Sequence, residues 1–316
     1  MEAQTNAAAS KAPSTTKNGP RKDVYSIVTE RIIEQLKKGT VPWRKPWTEA
    51  GVPMNMISKR AYRGVNVMLL AMLGYERNLF LTIKQVQELG GTVAKGEHGH
   101  MVVYWNYIER EQAHEERNDG IPIEHLAKKV PMLRYYSVFN IAQCDGLPEK
   151  YLAKTENNWA PIETCDEIVD RMQNRPKITH KEQRAYYDPL KDYVNMPKYN
   201  TFDRPEAYYA TLFHELVHST GHRSRLDRKD LLQMAEFGSE PYSHEELVAE
   251  IGTCYLQSYA SITTEFEQSA AYIQAWLSKL QNDPRFIFSA STHAQKATDY
   301  ILSLNAVAED AEQKVG

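Results

Sequence analysis

The stretch HELVHSTGH, residues 214–222, decides how the rest of the chain is read. His214 and His218 are four positions apart, so on a helix they lie on one face, one turn above the other, and can share a single metal ion. Glu215 is turned by one residue, about 100° round the helix, which aims it at a metal-bound water rather than at the metal. Histidine fills only ten of the 316 positions, so abundance does not account for the pattern. The helix that carries it opens with Asp203 as cap and Pro205 in the first turn, and stops at Gly221.

A catalytic zinc site takes three protein ligands and leaves a fourth position open. His222 continues the i+4 series but follows the helix stop, and a histidine two residues later, as in the metzincin pattern, is absent because Ser224 stands there. His222 is therefore expected off the ligand set. The better source is SHEELVAEIG, 243–252, where Glu246 and Glu250 share a helix face while Glu245 turns away with Ala249. In the gluzincin arrangement a glutamate on a later helix binds zinc, and an acidic residue four positions on orients a histidine from behind. Glu246 fits the first role and Glu250 the second. A rival reading makes Ser243 and Glu246 a capping box, which leaves Glu250 or Glu245 as ligand. With such a site the metal polarises a carbonyl and Glu215 moves the proton. Tyr208, Tyr209 and Tyr242 are candidate donors to the oxyanion.

Upstream the chemistry changes. Residues 21–100 hold 13 Lys and Arg against 7 Asp and Glu, whereas 101–316 hold 23 against 33. A basic half joined to an acidic half suits a protein of which one half meets a polyanion. Within VPWRKPWTEAGVPMNMISKRAYR, 41–63, the cations Arg44, Lys45, Lys59, Arg60 and Arg63 interleave with Trp43, Trp47 and Tyr62. Cations that follow phosphates and rings that stack on bases are how single-stranded nucleic acid is held without regard to sequence. Lys95, in a glycine-rich turn, adds a further phosphate contact. Neither a helix-turn-helix nor a zinc finger is present, which argues against sequence-specific reading of duplex.

The coarse organisation is α+β. DVYSIVTERIIEQLKKG (23–39) has a one-sided apolar stripe between Asp23 and Gly39, and GVNVMLLAMLGY (64–75) is a buried helix. TIKQVQELGG (82–91) opens with a Thr82/Gln85 capping box. MVVYWNYI (101–108) and LRYYSVFNI (133–141) read as strands on either side of a charged loop, 109–120. The polar, proline-bearing segment 146–161 sets a boundary. The expected units are a disordered tail at 1–20, a nucleic-acid-binding domain at 21–150, and a mainly helical metal-binding domain with a small sheet at 151–316. No apolar run is long enough to span a bilayer, the first twenty residues lack the core of a signal peptide, and three scattered cysteines without a CxxC pair fit a reduced cytoplasmic protein.

DVYSIVTERIIEQLKKGTVPWRKPW, NMISKRAYRGVNVMLL, LTIKQVQELGGTVAKGEHG and VVYW closely resemble the N-terminal domain of ArdC-type antirestriction proteins, which also begins the plasmid TraC-type primases. AYYATLFHELVHSTGHRSRLDR and EELVAEIGTCYL resemble the zincin-like metallopeptidase domain that follows it in ArdC-type proteins. The resemblance runs from about residue 22 to the C-terminus. It implies a single-stranded-DNA-binding domain, a gluzincin-type zinc metalloprotease domain whose metal could also be Mn2+ or another divalent ion, and carriage on conjugative plasmids, where the protein shields incoming DNA from restriction. The family's HExxH falls on His214, Glu215 and His218 and its later glutamate on Glu246. Two readings follow: a peptidase of unknown protein substrate delivered to single-stranded DNA, or a DNA-guarding protein whose zinc site is structural or vestigial. A third, a peptidase with no DNA role, requires the 41–63 cluster to be buried.

Overall fold

Asp23 accepts a hydrogen bond from the Ser26 amide at 2.7 Å and so caps α1, Val24–Lys37, which buries Val28, Ile32 and Leu36. Gly39, at φ +76°, lets the chain leave the helix end. The computed structural model describes residues 23–44, 51–110, 128–149, 161–229, 240–262 and 270–304. The expected tail, Lys45 and Trp47, all but the first two residues of the charged segment 109–120, and the domain boundary at 150–151 lie outside these residues.

The N-terminal sheet is built from β1 (Met54–Asn55), β2 (Leu79–Leu81), β4 (His100–Arg110) and β5 (Lys128–Asn140), in the order β1-β2-β5-β4, with only β1 and β2 parallel. The β4–β5 hairpin is longer than the sequence pattern suggested. Pairing continues to Arg110 opposite Lys128, so the charged excursion opens from a strand rather than ending one. β3 (Thr92–Val93) pairs with β6 (Cys144–Asp145) beside it. α2, Val65–Ala71, is buried at every position, and α3, Ile83–Glu88, carries the Thr82/Gln85 capping box.

The remaining elements are α4 (Pro161–Arg171), a small sheet of β7 (Lys177–Thr179), β8 (Tyr186–Asp188) and β9 (Tyr193–Asn195) ordered β7-β9-β8, and four helices: α5 (Pro205–Thr220), α6 (Glu240–Ala260), α7 (Ala270–Asn282) and α8 (Phe286–Ile301). Two cap expectations are corrected. Arg204, not Asp203, precedes α5, with Pro205 as its first residue. α6 starts three residues before Ser243, so Ser243 is an interior position whose carbonyl accepts from the Trp276 indole at 3.4 Å. The capping-box reading of Ser243 and Glu246 falls, and the Glu246 carboxylate is not spent at a helix start.

α5 and α6 lie in close contact. A Cβ on Gly252 would sit 2.9 Å from Val217 Cγ2, so only glycine permits this approach. The two sequence halves also pack on one continuous core. It takes Val28, Ile32, Leu36 and Trp43 from the first half and Leu216, Leu247, Trp276 and Ile287 from the second. Trp43 meets Trp276 edge-on at 5.4 Å between ring centroids. Around this contact Thr29 donates to the Pro284 carbonyl at 2.7 Å, Tyr255 donates to the Gly64 carbonyl at 2.8 Å, and Arg63 pairs with Asp299. Among the described residues no helix is long and apolar enough to cross a membrane.

A core crossing the sequence boundary predicts that Trp43→Ala costs about 3–5 kcal/mol and lowers the melting of both halves together. Calorimetry should show one transition displaced downward. A two-step melt in which only the first step moves would contradict the shared core.

Candidate metal centre

The face of α5 that carries His214 and His218 looks towards α6, while Leu212, Phe213, Leu216 and Val217 are buried in the core. The two Nε2 atoms are 3.1 Å apart. Glu246, on α6, places one carboxylate oxygen 3.6 Å from His214 Nε2 and the other 3.6 Å from His218 Nε2. All three ligand atoms lie within 4.8 Å of one another. A tetrahedral ion with bonds of about 2.0–2.1 Å sets its ligand atoms roughly 3.3 Å apart, so these spacings suit a divalent ion. Glu215 is buried beside them and outside the ligand set.

Behind His218 stands a carboxylate that the sequence placed elsewhere. Glu245, fully buried, accepts from His218 Nδ1 at 3.2 Å. That bond puts the proton on Nδ1 and leaves the Nε2 lone pair facing His214 and Glu246, as a metal-binding imidazole requires. Arg228 holds Glu245 in turn, with Nε to Oε2 at 2.9 Å and Nη2 to Oε1 at 2.5 Å, and also donates to the Thr220 hydroxyl and the Val217 carbonyl. The expectation that Glu245 turns away and Glu250 orients a histidine is therefore corrected for His218: the buried face of α6 includes Glu245 because Arg228, past the end of α5, gives it a partner. Glu250 acts on His214 through its charge.

The electrostatics favour a cation at this point. Burial pushes the His214 imidazole down, but the hydrogen bond to Glu246 and the charges of Glu215, Glu250 and Glu246 outweigh it and raise its pKa to about 9. Burial raises Glu246, and the bond to His214 with the charges of both histidines brings it below the ordinary carboxylate value. Burial likewise opposes the ionisation of Glu245, yet Arg228 and His218 hold its pKa down at about 2.

Other candidates fall away from this centre. His222 lies beyond the helix, its Nδ1 2.8 Å from the Ser224 hydroxyl. Tyr208 and Tyr209 are turned from His214 by roughly 120° or more at 3.6 residues per turn. Tyr208 bonds His180 at 3.0 Å and Tyr209 donates to Asp166 at 2.5 Å, and both line a cavity of about 610 Å3 on that side of α5. Neither is placed to serve an oxyanion, and the Tyr242 side chain lies outside what the structure describes.

The 41–63 cluster is divided. Trp43 is 0% exposed and packed on Trp276, so it is removed from the nucleic-acid surface: its ring is worth more in the core than in water. Arg63 is committed to Asp299, and Tyr62 packs edge-on to Phe80. Lys59, Arg60 and Lys95 are exposed, the last in the turn between β3 and β4. Arg44 closes a short 3-10 turn, Pro42–Arg44. Burial of the whole cluster, which a peptidase with no DNA role requires, is not what is seen.

Comparison with known proteins fits this arrangement. A family model described as the N-terminal domain of anti-restriction factor ArdC matches residues 22–139, and one described as a zincin-like metallopeptidase matches 163–293. The crystal structure of the metal-free antirestriction ArdC protein from plasmid R388 superposes with a TM-score of 0.72 at 41% identity, covering 89% of this chain and 97% of that one. The chain belongs to the ArdC antirestriction family. The Mn(II)-bound structure of the same R388 ArdC matches with a TM-score of 0.70 at 40% identity, over 89% of this chain and 98% of that one, in keeping with a divalent-metal site in the ArdC fold. A DNA primase TraC of Escherichia coli is 37% identical over 296 residues, 90% of this chain. The chain spans only 20% of that primase and 27% of a second TraC.

Breaking the buried pair should be costly. With chelator present, Arg228→Met is expected to destabilise the fold by about 3–5 kcal/mol at neutral pH. Because the native fold lowers the Glu245 pKa, its contribution is present above about pH 4.5 and is lost as pH falls towards about 2. The deficit of the variant should shrink over that window in urea unfolding. A deficit independent of pH would mean that Arg228 acts through packing alone.

Proposed function

We propose that this chain is a cytoplasmic antirestriction protein that binds single-stranded DNA without regard to sequence and carries a zinc metalloprotease centre, protecting DNA that enters by conjugation. The observation that carries the reading is the convergence of His214, His218 and Glu246 with Glu215 buried alongside but outside the ligand set. Two imidazoles, one carboxylate and an open fourth position are a zinc donor set of the catalytic kind, and manganese or another divalent ion is the alternative occupant. Support for the DNA half comes from the exposed Lys59, Arg60 and Lys95 and from the kinship with the N-terminal domain of ArdC and with TraC primases.

A divalent ion held by these residues supplies Lewis acidity to the scissile carbonyl and to the attacking water. The chain's own part is proton transfer and positioning. Glu215 orients the water, takes its proton and returns it to the departing amine. Glu245 keeps His218 in the ligating tautomer, Arg228 keeps Glu245 ionised, and Glu250 adds negative charge beside His214. Glu215 lies beside the ligand set without belonging to it, a place that a purely structural metal site does not call for, which favours a working site. The substrate is a protein met on or near the DNA.

Glu215→Gln separates the two readings. The variant should fold and bind metal as before, lose peptide hydrolysis by about 10²–10⁴-fold, and lose protection of transferred DNA. Undiminished protection by an inactive variant would establish the DNA-guarding protein with a non-catalytic metal site.

A further inference from the structure

Resting on the single-strand reading above, the geometry points to a binding surface that the 41–63 cluster only borders: one face of the β4–β5 hairpin, with Tyr104 and Tyr136 as stacking rings and Arg134, Lys59 and Arg60 as phosphate contacts, occupied by single-stranded DNA. Directly opposed residues of an antiparallel pair share a face. On this face His100 is opposite Val138, Val102 opposite Tyr136, and Tyr104 opposite Arg134. Its lower end is filled: Val102 and Val138 are buried with Leu70 and Phe80. Its upper end is open, with Tyr136 40% exposed, Arg134 exposed, and the Tyr104 and Tyr136 rings edge-on at 5.6 Å.

Tyr62, packed on Phe80, borders the row, its hydroxyl reaching Tyr136 and Asn55. Next to it the turn with Lys59 and Arg60 is held in one shape. Asn55 Oδ1 accepts from the Ile57 and Ser58 amides at 3.1 and 3.0 Å, the Asn55 amide donates to the Arg60 carbonyl at 2.9 Å, and Lys59 sits at φ +57°. A preformed turn reduces the ordering cost of a contact.

The opposite face is already used. Met101, Val103 and Leu133 belong to the main core, and Trp105 meets Tyr25 of α1 at 6.1 Å.

Charge names the occupant. Residues 51–75 carry Lys59, Arg60 and Arg63 with no Asp or Glu, residues 128–140 carry Lys128, Lys129 and Arg134 with none, and residues 100–108 have none. At the open end of the face the exposed side chains Lys59, Arg60 and Arg134 are cationic, while Glu97 acts on His100 at the filled end, so the open end complements a polyanion. Exposed rings on a sheet are reached by unstacked bases and not by those inside a duplex.

The test is anisotropy of a labelled oligo-dT, with matched duplex as competitor, on the full chain at several salt concentrations. Tyr136→Ala is expected to weaken single-strand binding about tenfold or more. Arg134→Glu should weaken it and lower the dependence of log Kd on log salt by about one. Tyr135→Ala, one residue along on the other face and 55% exposed, should change it less than about twofold, and Tyr136→Phe, which keeps the ring, should retain binding. Melting checks that each variant is folded. Tight binding by the wild type that survives both Tyr136→Ala and Arg134→Glu would overturn this surface while the single-strand reading stands. No binding by the wild type at low salt would overturn that reading, and the surface with it. Equal affinity for duplex would overturn the stacking role.

Discussion

The buried pair of Arg228 and Glu245 is the constraint on which the candidate centre depends. Arg228 reaches from beyond the end of α5, bonds the Glu245 carboxylate with two nitrogens and caps the Val217 carbonyl of the helix it has just left. Removing an arginine and a glutamate from water is unfavourable unless each lone pair and proton is met. Here they are met by Thr220, Val217 and His218. The result is a fixed relation between α5 and α6 at one end, while Gly252 against Val217 fixes how near they come. Glu246 follows Glu245 on α6, and that adjacency brings its carboxylate to the two histidines.

The second organising feature is the core that crosses the chain. The turn that presents Lys59 and Arg60 runs directly into Arg63 and Gly64, which are bonded to Asp299 and Gln295 on α8 and to Tyr255 on α6. α6 also carries Glu246. The basic surface and the metal centre therefore rest on the same helices, and Trp43, whose composition suggested a stacking ring, serves to join them.

Several local signals are legible in the sequence because the physics behind them is local. The Asp23 cap, the Thr82/Gln85 box and the one-turn spacing of His214 and His218 depend only on helix geometry. Placing Glu246 near them needed one further step, the i+4 face of a second helix, and it succeeded. Two helix starts are also misplaced, Asp203 for Arg204 and Ser243 for a position three residues earlier, and the other differences depend on tertiary partners. Glu245 seemed to point away because its partner, Arg228, comes from a different segment. Trp43 and an exposed tryptophan look alike until Trp276 is in place. Tyr104 and Tyr136 were seen as strand residues, but their shared face follows from register, and a slip of one residue would reverse it. The sequence does carry a signal for this face: 128–140 has three cations and no acid, although it lies in the acidic part of the chain.

α5 and α6 together bring His214, His218 and Glu246 within reach of one divalent ion. Equilibrium dialysis against buffered zinc, comparing the wild type with a folded Glu246→Gln variant, tests it most directly. One tightly held zinc per wild-type chain is expected, with an affinity at least about a hundredfold weaker in the variant, since a carboxylate ligand is lost. Equal zinc affinity in the two proteins would contradict it and place the third ligand elsewhere.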